Sequence, residues 1–277
     1  MSSRYVKLCR SELKLSIISS LLRSEKKLSA LKEELGSRGS TILHAIKDLE
    51  SDNLTHKTDK TYKLTSVGLM LALLLDEVSS ADEVLDKFND FWLNHNVRVL
   101  PNHLLQRIGA LKEAIIIQNN SVELGRVHST FQQLLLSSKK VRGVSPIFHS
   151  DYIEAFQQLL GEGACVELIL TRDVLSRTLS LADPEQITRY VADEKLKIFL
   201  AEKLDVALTV TENSFSMGLF TIDGKYDYNR DLVSNSPEAI KWGEMLFQHY
   251  FRDAQSIDMK EINSVYSPHL EMNRKKY

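Results

Sequence analysis

Residues 28–65, LSALKEELGSRGSTILHAIKDLESDNLTHKTDKTYKLT, constrain this chain more than any other stretch. They read as a short helix, a tight turn, a second helix and a basic hairpin. In the second helix Ile42, Ile46 and Leu49 recur at i, i+4 and i+7, which gathers them on one buried face. Ser40, Thr41, His44, Lys47 and Ser51 fall on the opposite face. Ser37-Arg38-Gly39 is expected as the turn, with Gly39 free to take positive φ and Ser40 as N-cap. HKT and TYKLT then form two polar strands joined at Asp59-Lys60. That order of elements is a winged helix-turn-helix.

Residues 11–22 supply the helix before it, with Leu15, Ile18, Leu21 and Leu22 facing Leu31 and Leu35. Glu33 and Glu34 are expected to point outward. Charge follows the same division. Residues 1–65 hold 13 Lys and Arg against 8 Asp and Glu, and the remainder holds 22 against 29, although the whole chain carries only −2. A basic module on an acidic body favours phosphate contact by that module alone. The expected reading set for a double-stranded DNA operator is Arg38, Ser40, Thr41, His44 and Lys47, with Lys57, Lys60, Tyr62 and Lys63 on backbone or minor groove. The alternative is a degenerate winged helix in a non-catalytic assembly or protein-interaction module.

Residues 66–94 begin apolar on nearly all sides, and Ala81, Val84, Leu85, Phe88, Phe91 and Trp92 continue at helical spacing. Such a helix needs cover, and a second copy of the chain is expected to supply it, giving a homodimer, with packing against the C-terminal domain of the same chain as the alternative. Pro101 punctuates, and residues 102–117 are read as one more helix. After a helix over 121–137 the period changes. VRGVSPIF, HSDYIEAFQQLLGEGA and CVELILT make a strand, a helix and a strand, a βαβ unit. Two helices, three strands, an Asp223-Gly224 turn and a closing helix capped by Ser236-Pro237 follow. The expected fold is α+β: a winged domain over 1–65, a helical linker and dimerisation region over 66–120, an α/β regulatory domain with a mixed sheet over 121–255, and a loosely held tail over 256–277.

Several strings together, DFWLNH, LLQRIG, KKVRGVSPIFHSDY, VELILTRDV, SMGLFTIDGKYDYNRDLVS and EAIKWGEMLF, resemble the methanogen-type archaeal winged-helix regulators with a Fil-type C-terminal domain. The resemblance covers nearly everything but the tail. It implies a DNA-binding transcriptional regulator, with an N-terminal reader and a C-terminal sensing or assembly domain. Residues 141–171 also resemble, more distantly, the repeated half of phospholipase D-like folds and the TrmB-type archaeal regulators. That enzyme class needs Lys two residues after a His. None of the eight histidines here has one.

No HExxH, GxSxG or P-loop is present, so no catalytic residue is expected. Cys9 and Cys165 form no CxxC pair, and neither a metal site nor a cofactor is expected. An effector is expected beyond the carboxyl ends of the parallel strands. Ser145 and His149 follow the first strand, Thr171 and Arg172 the second, and Asp223 and Tyr226 flank a turn. Arg172 suggests a small anionic effector, with a protein partner as the alternative. The N-terminus has no apolar signal core and the longest apolar run cannot span a bilayer, so a cytoplasmic protein without membrane contact is expected.

Overall fold

The computed structural model describes residues 4–257 and Ile262. The chain divides after Ser80 into two compact units. The first contains α1 (Arg4–Cys9), α2 (Glu12–Arg23), β1 (Lys26–Lys27), α3 (Leu28–Leu35), α4 (Gly39–Ser51), β2 (Thr55–Thr58), β3 (Thr61–Leu64) and the start of α5 (Ser66–Lys87). Ile42, Ala45, Ile46 and Leu49 of α4 are buried against Ile17, Ile18 and Leu21 of α2 and Leu31 of α3. The stripe legible in the sequence is therefore the face that anchors α4.

Two local readings are corrected. The left-handed residue is Gly36, with φ 61°, directly after α3, where a helix needs such a residue to satisfy its last carbonyls. Gly39 is already helical, and Arg38 rather than Ser40 occupies the N-cap position, without a side-chain cap. Glu34 is exposed, as expected, yet it is not idle. Its carboxylate accepts from Ser20 Oγ at 2.9 Å and pairs with Lys26 at 2.8 Å and Arg23 at 2.5 Å, tying α2, β1 and α3 together. The Lys26 bond, then the Ser20 bond, hold its pKa below the usual carboxylate value. The wing is also larger than expected, because β1 pairs antiparallel with β3 and makes a three-stranded sheet.

The second unit comprises α6 (Asn89–Asn94), α7 (Asn102–Leu105), β4 (Ile115–Gln118), α8 (Arg126–Leu136), β5 (Lys140–Ser145), α9 (Asp151–Gly161), β6 (Cys165–Leu170), α10 (Arg172–Leu181) and α11 (Pro184–Ala192). There follow β7 (Leu196–Leu200), β8 (Val206–Thr211), β9 (Phe215–Leu219), β10 (Arg230–Ser234), α12 (Pro237–Asp253) and β11 (Gln255–Ser256). The eight strands form one mixed sheet in the order β11-β7-β6-β5-β8-β9-β10-β4. β5, α9 and β6 are the expected βαβ unit, with parallel pairing from Lys140↔Cys165 to Ser145↔Leu170. The reading of 102–117 as one helix is corrected. Ile115, Ile116 and Ile117 are β-branched residues paired with β10 at the sheet edge, and only Asn102–Leu105 is α-helical.

Packing of α12 onto the sheet fixes the core. A Cβ on Gly243 would lie 2.5 Å from Phe215 and 2.9 Å from Val210, so glycine permits the close approach. Trp242, buried beside it, donates its ring N–H to the Leu104 carbonyl at 3.0 Å. Of the segment expected as a tail, Ile257 and Ile262 are buried with the α9–α11 core, and the rest lies outside the described residues apart from Ser256. The two turn glycines should respond oppositely to alanine. Gly36→Ala forces a side chain into the left-handed region and should cost about 1 kcal/mol, whereas Gly39→Ala meets nothing within 4 Å and should be neutral or stabilising. Thermal melts of the two variants check this.

Candidate nucleic-acid interface and a lined cavity

Ser40, Thr41, His44 and Lys47 all stand exposed on α4, with exposed Arg38 at its N-terminal cap. Ser40, Thr41 and His44 share a shallow groove with Ser11 and Lys14 of the preceding segment. Asp48 also belongs to this surface, which the sequence reading overlooked. Lys14 pairs with it at 2.7 Å, and that contact holds its carboxyl below the usual range. The acid on this face of α4 is therefore already paired. Lys57 and Lys60 are exposed on the wing, and Lys63 is half-buried opposite His56. Tyr62 is corrected. It is 6% exposed and belongs to the core of the unit, with the Lys57 ammonium 5.8 Å from its ring centre.

In the second unit a cavity of about 130 Å³ lies between the sheet and α9, α10 and α11. Phe131, Phe156, Leu168, Leu175, Leu196 and Ile198 give it apolar walls. Its polar lining includes Ser145, His149, Tyr152, Thr209, Ser216, Tyr226 and Asp231. Three of the six expected effector residues, Ser145, His149 and Tyr226, thus come together at its lining. The other three do not. Thr171 caps α10 by accepting from Val174 N–H, Arg172 is exposed at the start of that helix, and Asp223 is an exposed turn residue paired with Lys225 at 2.9 Å.

Asp231 is the residue the sequence did not signal. Among the described residues its Oδ2 accepts from Ser216 Oγ at 3.3 Å, while its buried Oδ1 has no hydrogen-bond partner. Gly218 makes room for it. A Cβ there would lie 2.1 Å from the Tyr226 hydroxyl oxygen and 2.7 Å from Asp231 Oδ1. Burial, opposed by the Ser216 bond and reinforced by Asp227, pushes the Asp231 carboxyl up to about 6. Burial likewise raises the Tyr152 and Tyr226 hydroxyls. Asp227, by contrast, is fully engaged with His95 at 3.2 Å and Arg230 at 2.9 Å. Nearby, His128 and His149 stack with ring centres 4.2 Å apart, and burial, then the neighbouring His149, lower the His128 pKa.

Because the folded state holds the Asp231 proton more tightly than the unfolded chain, stability should fall as pH rises from about 4 to about 6. Asp231→Asn removes the buried charge. It should raise Tm at pH 7, with about 3 kcal/mol as the upper bound, and lose that gain below about pH 4. Melting curves across this range check the sign.

Residues 4–81 match the family described as methanogenesis regulatory protein FilR1, N-terminal domain, and residues 124–253 match its middle domain. Over 264 residues the chain is 31% identical to methanogenesis regulatory protein FilR1 of Methanothrix harundinacea (strain 6Ac), covering 92% of this chain and 58% of that protein. The chain therefore spans less than two thirds of that relative's length. Among solved structures, the archaeal chromatin protein TrmBL2 is 11% identical, covering 93% of this chain and 100% of that one at a TM-score of 0.43. The phospholipase D family member Nuc of Salmonella typhimurium is 13% identical over 52% of this chain and 99% of that one, at a TM-score of 0.38. Among the described residues no helix is long and apolar enough to cross a membrane. With both domain types matched in order and nearly the whole chain aligned to one relative, the chain belongs to the FilR1 family of methanogen regulatory proteins.

Proposed function

We propose that this chain is a transcriptional regulator that reads operator DNA through α4 and the wing, binds as a homodimer, and is modulated through its second unit without catalysing a reaction. The observation that carries the reading is the surface of α4. One face is fully anchored, and the other presents Ser40, Thr41, His44 and Lys47 beside a wing bearing Lys57 and Lys60. A helix so mounted can enter a major groove, with its N-terminal residues toward base edges and the wing along the backbone.

Dimerisation is supported by α5. Val67, Met70, Leu74, Val78 and Leu85 are all exposed and follow one another at steps of 3, 4, 4 and 7 residues. That is the spacing of a helix-pairing seam. Modulation is supported by the cavity. Its volume is close to the about 150 Å³ of engineered apolar cavities that bind benzene, and its polar side offers an unpartnered carboxylate oxygen. This chemistry suits a small ligand with an apolar body and a neutral or cationic hydrogen-bond-donating head. The anionic effector expected from Arg172 suits it poorly, because Asp231 would repel an anion and Arg172 is not in the lining. An effector and the operator would alter each other's affinity by the same factor.

Binding titrations against a selected operator and random duplex test the reading surface. Lys47→Ala should cost about 1–3 kcal/mol on the operator and lower the specificity ratio. Lys60→Ala should weaken both duplexes alike and reduce the salt slope by about one. An unchanged ratio in Lys47→Ala would overturn the assignment of the reading face. For the seam, Met70→Lys with Leu74→Lys changes two exposed positions. Sedimentation should then report monomers, and an unchanged dimer places the interface elsewhere.

A further inference from the structure

We infer that His128, His149 and Asp151 form a binding site for a divalent first-row transition-metal ion, with Zn²⁺ as the reference occupant. The three residues come from different places in the chain. His128 lies in the first turn of α8, His149 in the loop after β5, and Asp151 is the first residue of α9. One ligand atom from each lies within 4.8 Å of the other two. An ion set among three such atoms is within about 2.8 Å of each, and bonds of about 2.0–2.2 Å are reached by closing the group by less than 1 Å.

The hydrogen bonding at this point is otherwise unexplained. Both ring nitrogens of His128 and Nδ1 of His149 are buried and make no hydrogen bond among the described residues. His128 Nε2 lies 3.2 Å from Asp151 Oδ2 without the alignment of a hydrogen bond, and His149 Nδ1 lies 3.9 Å from Oδ1, beyond hydrogen-bond reach. Buried ring nitrogens nearly always have a partner, and three orphans in one place call for a shared one. A metal ion accepts lone pairs from imidazole and carboxylate together. The rings are also held in place. Tyr152 stacks on His128 at 5.1 Å and on His149 at 5.0 Å.

The donor set selects the class of ion. Two imidazoles and one carboxylate suit Zn²⁺, Fe²⁺ or Ni²⁺, whereas Ca²⁺ and Mg²⁺ prefer all-oxygen shells. Three protein ligands leave a coordination position open. His149 also lines the cavity, as do Phe131 of α8 and Phe156 of α9. An ion here therefore links two walls of that cavity, and its open position is available to water or to a ligand entering from that side.

Equilibrium dialysis against Zn²⁺ alone, with metal counted by mass spectrometry, tests the site on the full chain. One ion per chain is expected, with affinity reduced at least tenfold in both His128→Ala and His149→Ala. The double variant Cys9→Ser with Cys165→Ser should bind as the parent does. Because a histidine variant could perturb folding, the parent chain loaded with Co²⁺ gives a second readout, a d–d spectrum without thiolate charge-transfer absorption. The inference is overturned by sub-stoichiometric Zn²⁺ in the parent, by affinity equal to the parent's in either histidine variant, by loss in the cysteine variant, or by a thiolate band.

Discussion

A helix that presents polar groups to a nucleic-acid groove must be held by its other face, and burial of one stripe of α4 is the constraint on which the first unit depends. Ile42, Ala45, Ile46 and Leu49 fill that stripe. A fully buried aliphatic side chain of this size is worth about 1.5–3 kcal/mol, so three of them outweigh any surface ion pair nearby. The ion pairs act on orientation instead. Lys14 reaches Asp48 from α2, and Glu34 gathers Ser20, Arg23 and Lys26. The outward face of α4 is left free of packing duties, which allows Ser40, Thr41, His44 and Lys47 to be chosen for contact.

The second unit uses the same physics toward a different end. Gly243 lets α12 settle against β8 and β9, and Arg142 joins Glu167 of β6 at 2.8 Å to Glu244 of α12 at 2.6 Å. With that side of the sheet closed, the other carries α9, α10 and α11 over the cavity. Two buried aspartates differ in how they are satisfied here. Asp227 is satisfied by His95 and Arg230 and reads as a strut. Asp231 keeps one oxygen unpartnered beside the cavity, a costly arrangement in a scaffold and a useful one in a binding site.

Much of this was legible in the sequence because it is periodic. The α4 stripe, the β5-α9-β6 unit and the Ser236-Pro237 cap are local patterns with a local physical cause, and the structure keeps them. What was misread depended on distant partners. Ile115 to Ile117 look helical in the context of the preceding Leu residues and become a strand only because β10 lies alongside. Tyr62 looks like a surface aromatic on a basic wing until the core closes over it. Asp231 sits in an ordinary strand string, and nothing within RDLVS tells that Gly218, Ser216 and Tyr226 surround it. Arg172 reads as a ligand contact because it is a charge just after a strand, yet it stands exposed at a helix start, where a charge commonly faces water.

On the reading proposed here, DNA is contacted by α4 and the wing of the first unit. Hydrogen–deuterium exchange of the full chain with and without a saturating operator duplex addresses it most directly, since it locates contact without altering a residue. Slowed exchange is expected over residues 38–47 and 55–63. Protection confined to residues 81–257, or equal exchange throughout despite saturation, would contradict it.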